Sequence, residues 1–160
     1  MKNLLIALTA VLLCTGLSAK EKNNEKEKEA IIQVITESTN AYRAKDFDRI
    51  AATFVHDDSV IKTAASKGGY MIKSGWEDIA SNYSQNFTNN PDPIVRKFEK
   101  TNFKIKVYKE SAWAIHDEIN TLENGKNTKQ IITHFLEKHD GKWKIIYMSQ
   151  IFASSYDIAE

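Results

Sequence analysis

From Ala30 onward the apolar positions fall at Ile31, Val34, Ile35 and Tyr42, with Ser38 on the same stripe. This spacing predicts an amphipathic helix running to about Lys45. Asp46 then suits the N-cap of a second short helix that puts Phe47, Ile50, Ala51 and Phe54 on one face. His56-Asp57-Asp58 ends it as an acidic corner. Val60 to Ala65 predicts a strand, Ser66 to Gly69 a turn, and Tyr70 to Lys73 the antiparallel return. Ser74 followed by Glu77 predicts a capping box opening a third helix, on which Trp76, Ile79, Ala80, Tyr83 and Phe87 repeat at helical spacing. Asn89-Asn90-Pro91-Asp92-Pro93 stops that helix, because proline lacks the N–H and disfavours α geometry before it.

The rest of the chain alternates and is rich in β-branched and aromatic residues: about Phe98 to Tyr108, Ala112 to Leu122, Thr128 to Lys138 and Trp143 to Phe152. Asn124-Gly125 and Asp140-Gly141 mark hairpin turns between the last three. Three helices interrupted by a short hairpin, then a four-stranded meander, predict an α+β fold with helices covering one face of an antiparallel sheet. Two-residue turns at both places would set His116 opposite Thr133 and His134 opposite Tyr147, on opposite faces. Turns one residue longer, each closed by its glycine in the left-handed conformation, would set Ala114 opposite His134, His116 opposite Ile132 and Ile132 opposite Met148, on one face. The second choice is favoured because it gathers Trp113, Ile115, Ile119, Phe135, Ile145 and Tyr147 into one apolar face.

Residues 1–19 look like a cleavable export signal, with Lys2 before the apolar run Leu4 to Leu13 and the small residues of Leu17-Ser18-Ala19 after it. That run is shorter than the ~20 apolar residues a membrane span needs. A lipoprotein reading would use Cys14, but Leu13 stands where processing favours a small residue, so a cleaved signal is preferred. Loss of residues 1–19 removes one lysine and no acid, leaving 21 basic against 21 acidic residues. Such a balance gives no basic excess for nucleic acid and no stable hold on an anionic membrane. Cys14 is the single cysteine, so the mature chain has no disulfide and no thiol chemistry. Residues 20–28, alternating Lys and Glu, predict a solvated tether that frays into the first helix, and residues 29–157 predict one domain.

The order of these elements, with Ala44-Lys45-Asp46-Phe47-Asp48, Phe54-Val55-His56-Asp57-Asp58, Ser74-Gly75-Trp76-Glu77-Asp78-Ile79 and Asp140-Gly141-Lys142-Trp143-Lys144-Ile145-Ile146, resembles the nuclear transport factor 2-like superfamily, in its SnoaL-like and ketosteroid isomerase-like branch. The resemblance covers about residues 28–155. It implies a cone-shaped (cystatin-like) curved sheet wrapped around three N-terminal helices, a pocket inside the cone, and frequent dimerisation through the convex face. A homodimer through the apolar face described above is therefore expected. Isomerases, cyclases, dehydratases and binding-only proteins share this branch, so the fold assigns no reaction. Where ketosteroid isomerases carry an oxyanion-holding tyrosine and a carboxylate base, this chain has Ser38 and about Lys62 or Thr63. Neither place offers the phenol or the carboxylate.

Tyr42, Phe54, Trp76, Tyr83 and Phe87 are the helical aromatics that face the sheet, as core or as the apolar wall of a pocket. His116 and His134 interrupt apolar strand runs, and Glu118 lies two residues along from His116. Projecting into a cone they would make a pH-sensitive hydrogen-bonding group or a general base, with Met148 and Gln150 completing the wall. Exposed or strand-bonded histidines are the plainer explanation. His116, Glu118 and His134 also offer two imidazoles and a carboxylate of the types that suit zinc or iron, but no spacing fixes them together, and neither a metal nor a cofactor is expected. There is no Gly-rich phosphate loop or nucleophile elbow. Two N-glycosylation sequons, starting at Asn82 and Asn86, fall on the packed third helix and are discounted. The sequence favours an exported small-molecule-binding domain. The alternatives are an isomerase, cyclase or dehydratase with a histidine base, and a dimeric interaction module without ligand.

Overall fold

A computed structural model describes residues 2–122 and 124–152, with side chains from residue 22 onward. The expected domain's last residues, 153–157, and the side chains of the expected export signal lie outside this description. Helix α1 (Lys2–Ala44) is followed by α2 (Phe47–Ala51), β1 (Ile61–Ser66), β2 (Gly69–Ser74), α3 (Trp76–Asn89), β3 (Phe98–Val107), β4 (Ser111–Thr121), β5 (Asn127–His139) and β6 (Lys142–Phe152). The six strands form one sheet in the order β2-β1-β6-β5-β4-β3, antiparallel throughout except where β1 lies parallel to β6. Ile31 and Ile35 of α1 and Ile79 and Tyr83 of α3 pack onto Ala114, Ile132, Leu136 and Ile145 of the sheet, all buried. The curved sheet wrapped on helices is the α+β fold expected.

Two local expectations are corrected. Residues 20–28 are helical and continue α1: Lys and Glu are good helix formers, and Lys28 pairs with Glu25 one turn away at 2.7 Å. Glu27 then ties this end of the helix to the sheet, accepting from Lys138 Nζ at 2.7 Å and Trp143 Nε1 at 2.8 Å. The Ser74 capping box does not form. Gly75 is the N-cap of α3 at φ 79, a conformation that suits glycine, and its N–H donates to the Val60 carbonyl. Ser74 is thereby left in β2, one residue too early, and its N–H is taken by Asp78 Oδ2 at 3.3 Å. The expected cap at Asp46 does form, its Oδ1 accepting the Arg49 N–H at 3.0 Å.

The register reaches the expected face by a different route. At the Asn124-Gly125 turn Gly125 is left-handed (φ 78), and Ala114 pairs with His134 and His116 with Ile132, as the longer turn requires. The other turn is short. Asp140 and Gly141 both have positive φ (51 and 74), the geometry of a two-residue type I′ turn, and His139 pairs with Lys142. Left alone, that turn would set Tyr147 opposite His134 and send Met148 and Gln150 to the far face. A bulge between Phe135 and Leu136 absorbs one extra residue of β6, so His134 pairs with Met148 and Ile132 with Gln150. Both histidines are buried on the concave face. The short turn itself sets Ile145, expected among the convex residues, opposite Leu136 and so in the core, where it is fully buried. Phe135 and Tyr147 remain outside, paired across the strands.

Candidate functional site

A cavity of about 280 Å³ lies between the helices and the concave face of the sheet. Alternation along each strand sends every second side chain into it: Glu118 and Asn120 from β4, Gln130, Ile132 and His134 from β5, Met148, Gln150 and Phe152 from β6, and Lys62 from β1. The roof is Ser38, Tyr42 and Arg43 of α1, Ile50 of α2 and Tyr83 of α3. Ile94 and Arg96 enter from the segment before β3.

Six of the ten residues singled out from the sequence line this space: Tyr42, Tyr83, Glu118, His134, Met148 and Gln150. The other four do not. Phe54 is wholly packed, in tilted contact with Tyr83 and Trp76, and Phe87 closes the aromatic cluster behind Tyr42 and Tyr83. Trp76 stacks on His56, 4.1 Å between centroids, on the outside of that cluster. His116, on the same strand as Glu118, sits outside the lining behind His134, sandwiched between Phe103 and His134 at 4.6 and 5.5 Å. A bulge at Asn102 (φ 57), whose Nδ2 donates to Asp117 Oδ2, brings Phe103 over it.

Glu118 is the electrostatic centre. It is buried and forms an ion pair with the equally buried Lys100, whose Nζ also stands 3.3 Å from His116 Nε2. Its other oxygen accepts from Gln130 Nε2 at 2.7 Å and Asn120 Nδ2 at 3.2 Å. Burial works against its charge, but Lys100 and the hydrogen bonds outweigh that and hold the carboxyl below its usual range. Burial, with Lys100 nearby, pushes His116 down to about 4. Burial, His116 and Lys100 together push His134 well below its usual value. Both imidazoles are therefore neutral at pH 7. The set of His116, Glu118 and His134 does not converge on a metal position: the rings stack face to face, and the Lys100 ammonium contacts both His116 and Glu118. Among the described residues no group of three or more His, Cys, Asp or Glu side chains is placed to hold a metal.

The SnoaL-like domain model matches residues 31–153, which is most of the chain and contains every residue lining the cavity. The chain belongs to the SnoaL-like family. Solved structures agree on the fold. A protein of unknown function with a cystatin-like fold from Nostoc punctiforme is similar at a TM-score of 0.64 and 15% identity, over 82% of this chain and 94% of that one. A candidate dehydratase of the nuclear transport factor 2-like family from Streptomyces avermitilis gives 0.63 and 12%, over 82% and 99%. A candidate ketosteroid isomerase from Parabacteroides distasonis gives 0.60 and 20%, over 79% and 88%. Among curated proteins no sequence match is found.

The SnoaL-like cavity of this chain also contains groups that sequence reasoning passed over. Ser38 and Lys62 stand out in the sequence only as departures from an isomerase pattern, yet both are buried in the cavity wall. Lys62 lies over the Tyr83 ring, 3.8 Å from its centroid, and burial pushes its ammonium down to about 8. The signal was its position: a lysine at an inward place on a predicted strand. Arg43, with its guanidinium 4.4 Å from the Phe98 ring centroid and its Nη1 on Asn120 Oδ1, extends the polar wall around Asn120. Gln130 was legible too, at the same alternation as Ile132 and His134.

Proposed function

We propose that this SnoaL-like domain binds a small molecule in its cavity, as an exported protein freed of residues 1–19 and working as a homodimer. The observation that carries the reading is the cavity's mixed wall. Ile50, Ile132 and Met148 give apolar area, while Gln130 Oε1 and His134 Nδ1 are buried in the same region without a hydrogen-bond partner among the described residues. Unpaired buried polar atoms are costly, and a ligand or ordered water that satisfied them would be favoured. Native mass spectrometry of protein purified from its own host tests this. A bound small molecule released on unfolding supports the reading, and a chain at its bare mass counts against it.

An enzymatic role is the second reading, and the electrostatics move it away from the histidines. A base whose conjugate acid is as acidic as His116 takes a proton poorly at neutral pH, and Glu118 is saturated by its three donors. Lys62, at about 8, is the wall group suited to accept or donate a proton near neutrality. Isomerase or dehydratase chemistry in this domain would run through that amine. Loss of turnover in Lys62→Met with turnover retained in His134→Gln would support it.

A further inference from the structure

Lys62 is 6% exposed, and its ammonium is held by one long hydrogen bond, to Asn82 Oδ1 at 3.4 Å, above the Tyr83 ring. Among the described residues no carboxylate bears on it; the charge that does is a second cation, Lys73. An ammonium taken out of water without a counter-ion is strongly disfavoured, and the ring beneath it compensates only in part. The rest of the wall repeats the imbalance. Arg43 and Arg96 line the same cavity; Arg43 is drawn to Glu118 and repelled by Arg96. Glu118, the single carboxylate in the lining among the described residues, already has Lys100 as its ion-pair partner.

We propose that the ligand is a small organic anion: a carboxylic acid whose carboxylate pairs with Lys62 and whose apolar body lies against Tyr83, Ile132 and Met148. This rests on the small-molecule reading above and narrows its chemistry. The carboxylate supplies the counter-charge that the fold leaves out, and Asn82 helps to fix the ammonium toward it. Arg43 and Arg96 give the cavity a positive potential that attracts an anion. A neutral ligand of the same shape would leave Lys62 unpaired, so the wall discriminates by charge as well as by fit.

The test compares carboxylates with the amides of the same skeleton: phenylacetate against phenylacetamide, indole-3-acetate against indole-3-acetamide, and hexanoate against hexanamide. Binding is read by calorimetry and by the amide NMR shifts of β1 and β6. The expected result is at least one pair in which the carboxylate binds tenfold or more tightly than its amide. In Lys62→Met, checked for an intact thermal transition, that ratio falls to near one. Equal binding of carboxylate and amide to the unmodified protein would overturn the anion assignment while leaving the small-molecule reading standing. Binding of neither member of any pair would overturn both.

Discussion

The imidazoles of His116 and His134 lie 7° from parallel with their centroids 5.5 Å apart, although they stand on adjacent strands. His116 pairs with Ile132, so His134 is its diagonal neighbour, and stacking requires both side chains on the concave face. Two imidazolium ions would repel in that arrangement, and Lys100 adds a third positive charge beside them. Neutral rings are the consequence. NMR titration should show neither histidine gaining a proton between pH 8 and pH 6, with His116 titrating near 4. A ring that titrated above pH 6 would contradict this placement.

The same shift sets the acid limb of stability. An unfolded histidine takes its proton near pH 6.5 and folded His116 only near 4, so the unfolded state binds more protons in that window and stability falls as pH is lowered through it. The loss from His116 alone should be about 3 kcal/mol at most. Glu118, held below its usual range, adds loss in the same direction at still lower pH. Urea denaturation between pH 7 and pH 4 reads the slope, and a flat profile would count against it.

Removing one member of the buried Lys100–Glu118 pair should be far worse than removing both. Glu118→Gln leaves the Lys100 ammonium buried and unpaired, and should cost roughly 3–5 kcal/mol. Lys100→Met with Glu118→Leu should recover most of that stability. A double-mutant cycle showing simple additivity would mean the pair is not formed in solution.

Much of the sheet was legible in advance because Ala112, Ala114, His116 and Glu118 alternate cleanly and Asn124-Gly125 names its turn. Asp140-Gly141 was read as the longer turn and is the short one. Ile145, Ile146 and Tyr147 are apolar in succession, so no polar residue marks which of them slips, and the bulge between Phe135 and Leu136 has no signature. Met148 and Gln150 reach the expected face through two departures that cancel, a shorter turn and an unforeseen bulge, while Ile145, on the turn side of that bulge, does not. At the site, Tyr42 and Tyr83 could be placed from helical spacing. Phe54 and Phe87 could not be told apart from them, because periodicity gives the buried side of a helix but not the depth at which packing ends and the cavity begins. Arg43 and Arg96 were missed because long side chains from a helix end and a loop reach places that spacing does not encode.

Phe135, Tyr147, Ile131 and Ile151 lie on the convex face, with Phe135 47% and Ile151 54% exposed. An apolar patch spanning two central strands is a liability in a chain with little net charge, and a second copy is the occupant expected. Light scattering should give a dimer at micromolar concentration, and Phe135→Lys should give a monomer of unchanged helicity. A monomeric parent protein at high micromolar concentration would refute the dimer.

Lys62 should be retained at the expense of stability. Its pKa, lowered to about 8 by burial, means that folding disfavours the ammonium, so replacing it with methionine should raise the stability of the ligand-free protein by on the order of 1–3 kcal/mol at pH 7. The gain should shrink as pH rises above 8, where the folded protein no longer bears the charge. A Lys62→Met variant that melts lower than its parent would show that the ammonium is already satisfied without a ligand.

The most direct measurement of the central claim is a crystal structure of the protein purified from its native host, with the cavity between Tyr83, Lys62, Gln130 and Met148 inspected for bound density. The account predicts non-water density there, elongated along Ile132 and Met148 and ending within hydrogen-bond distance of Lys62 Nζ. A cavity that is collapsed, or that holds ordered water alone, would contradict it.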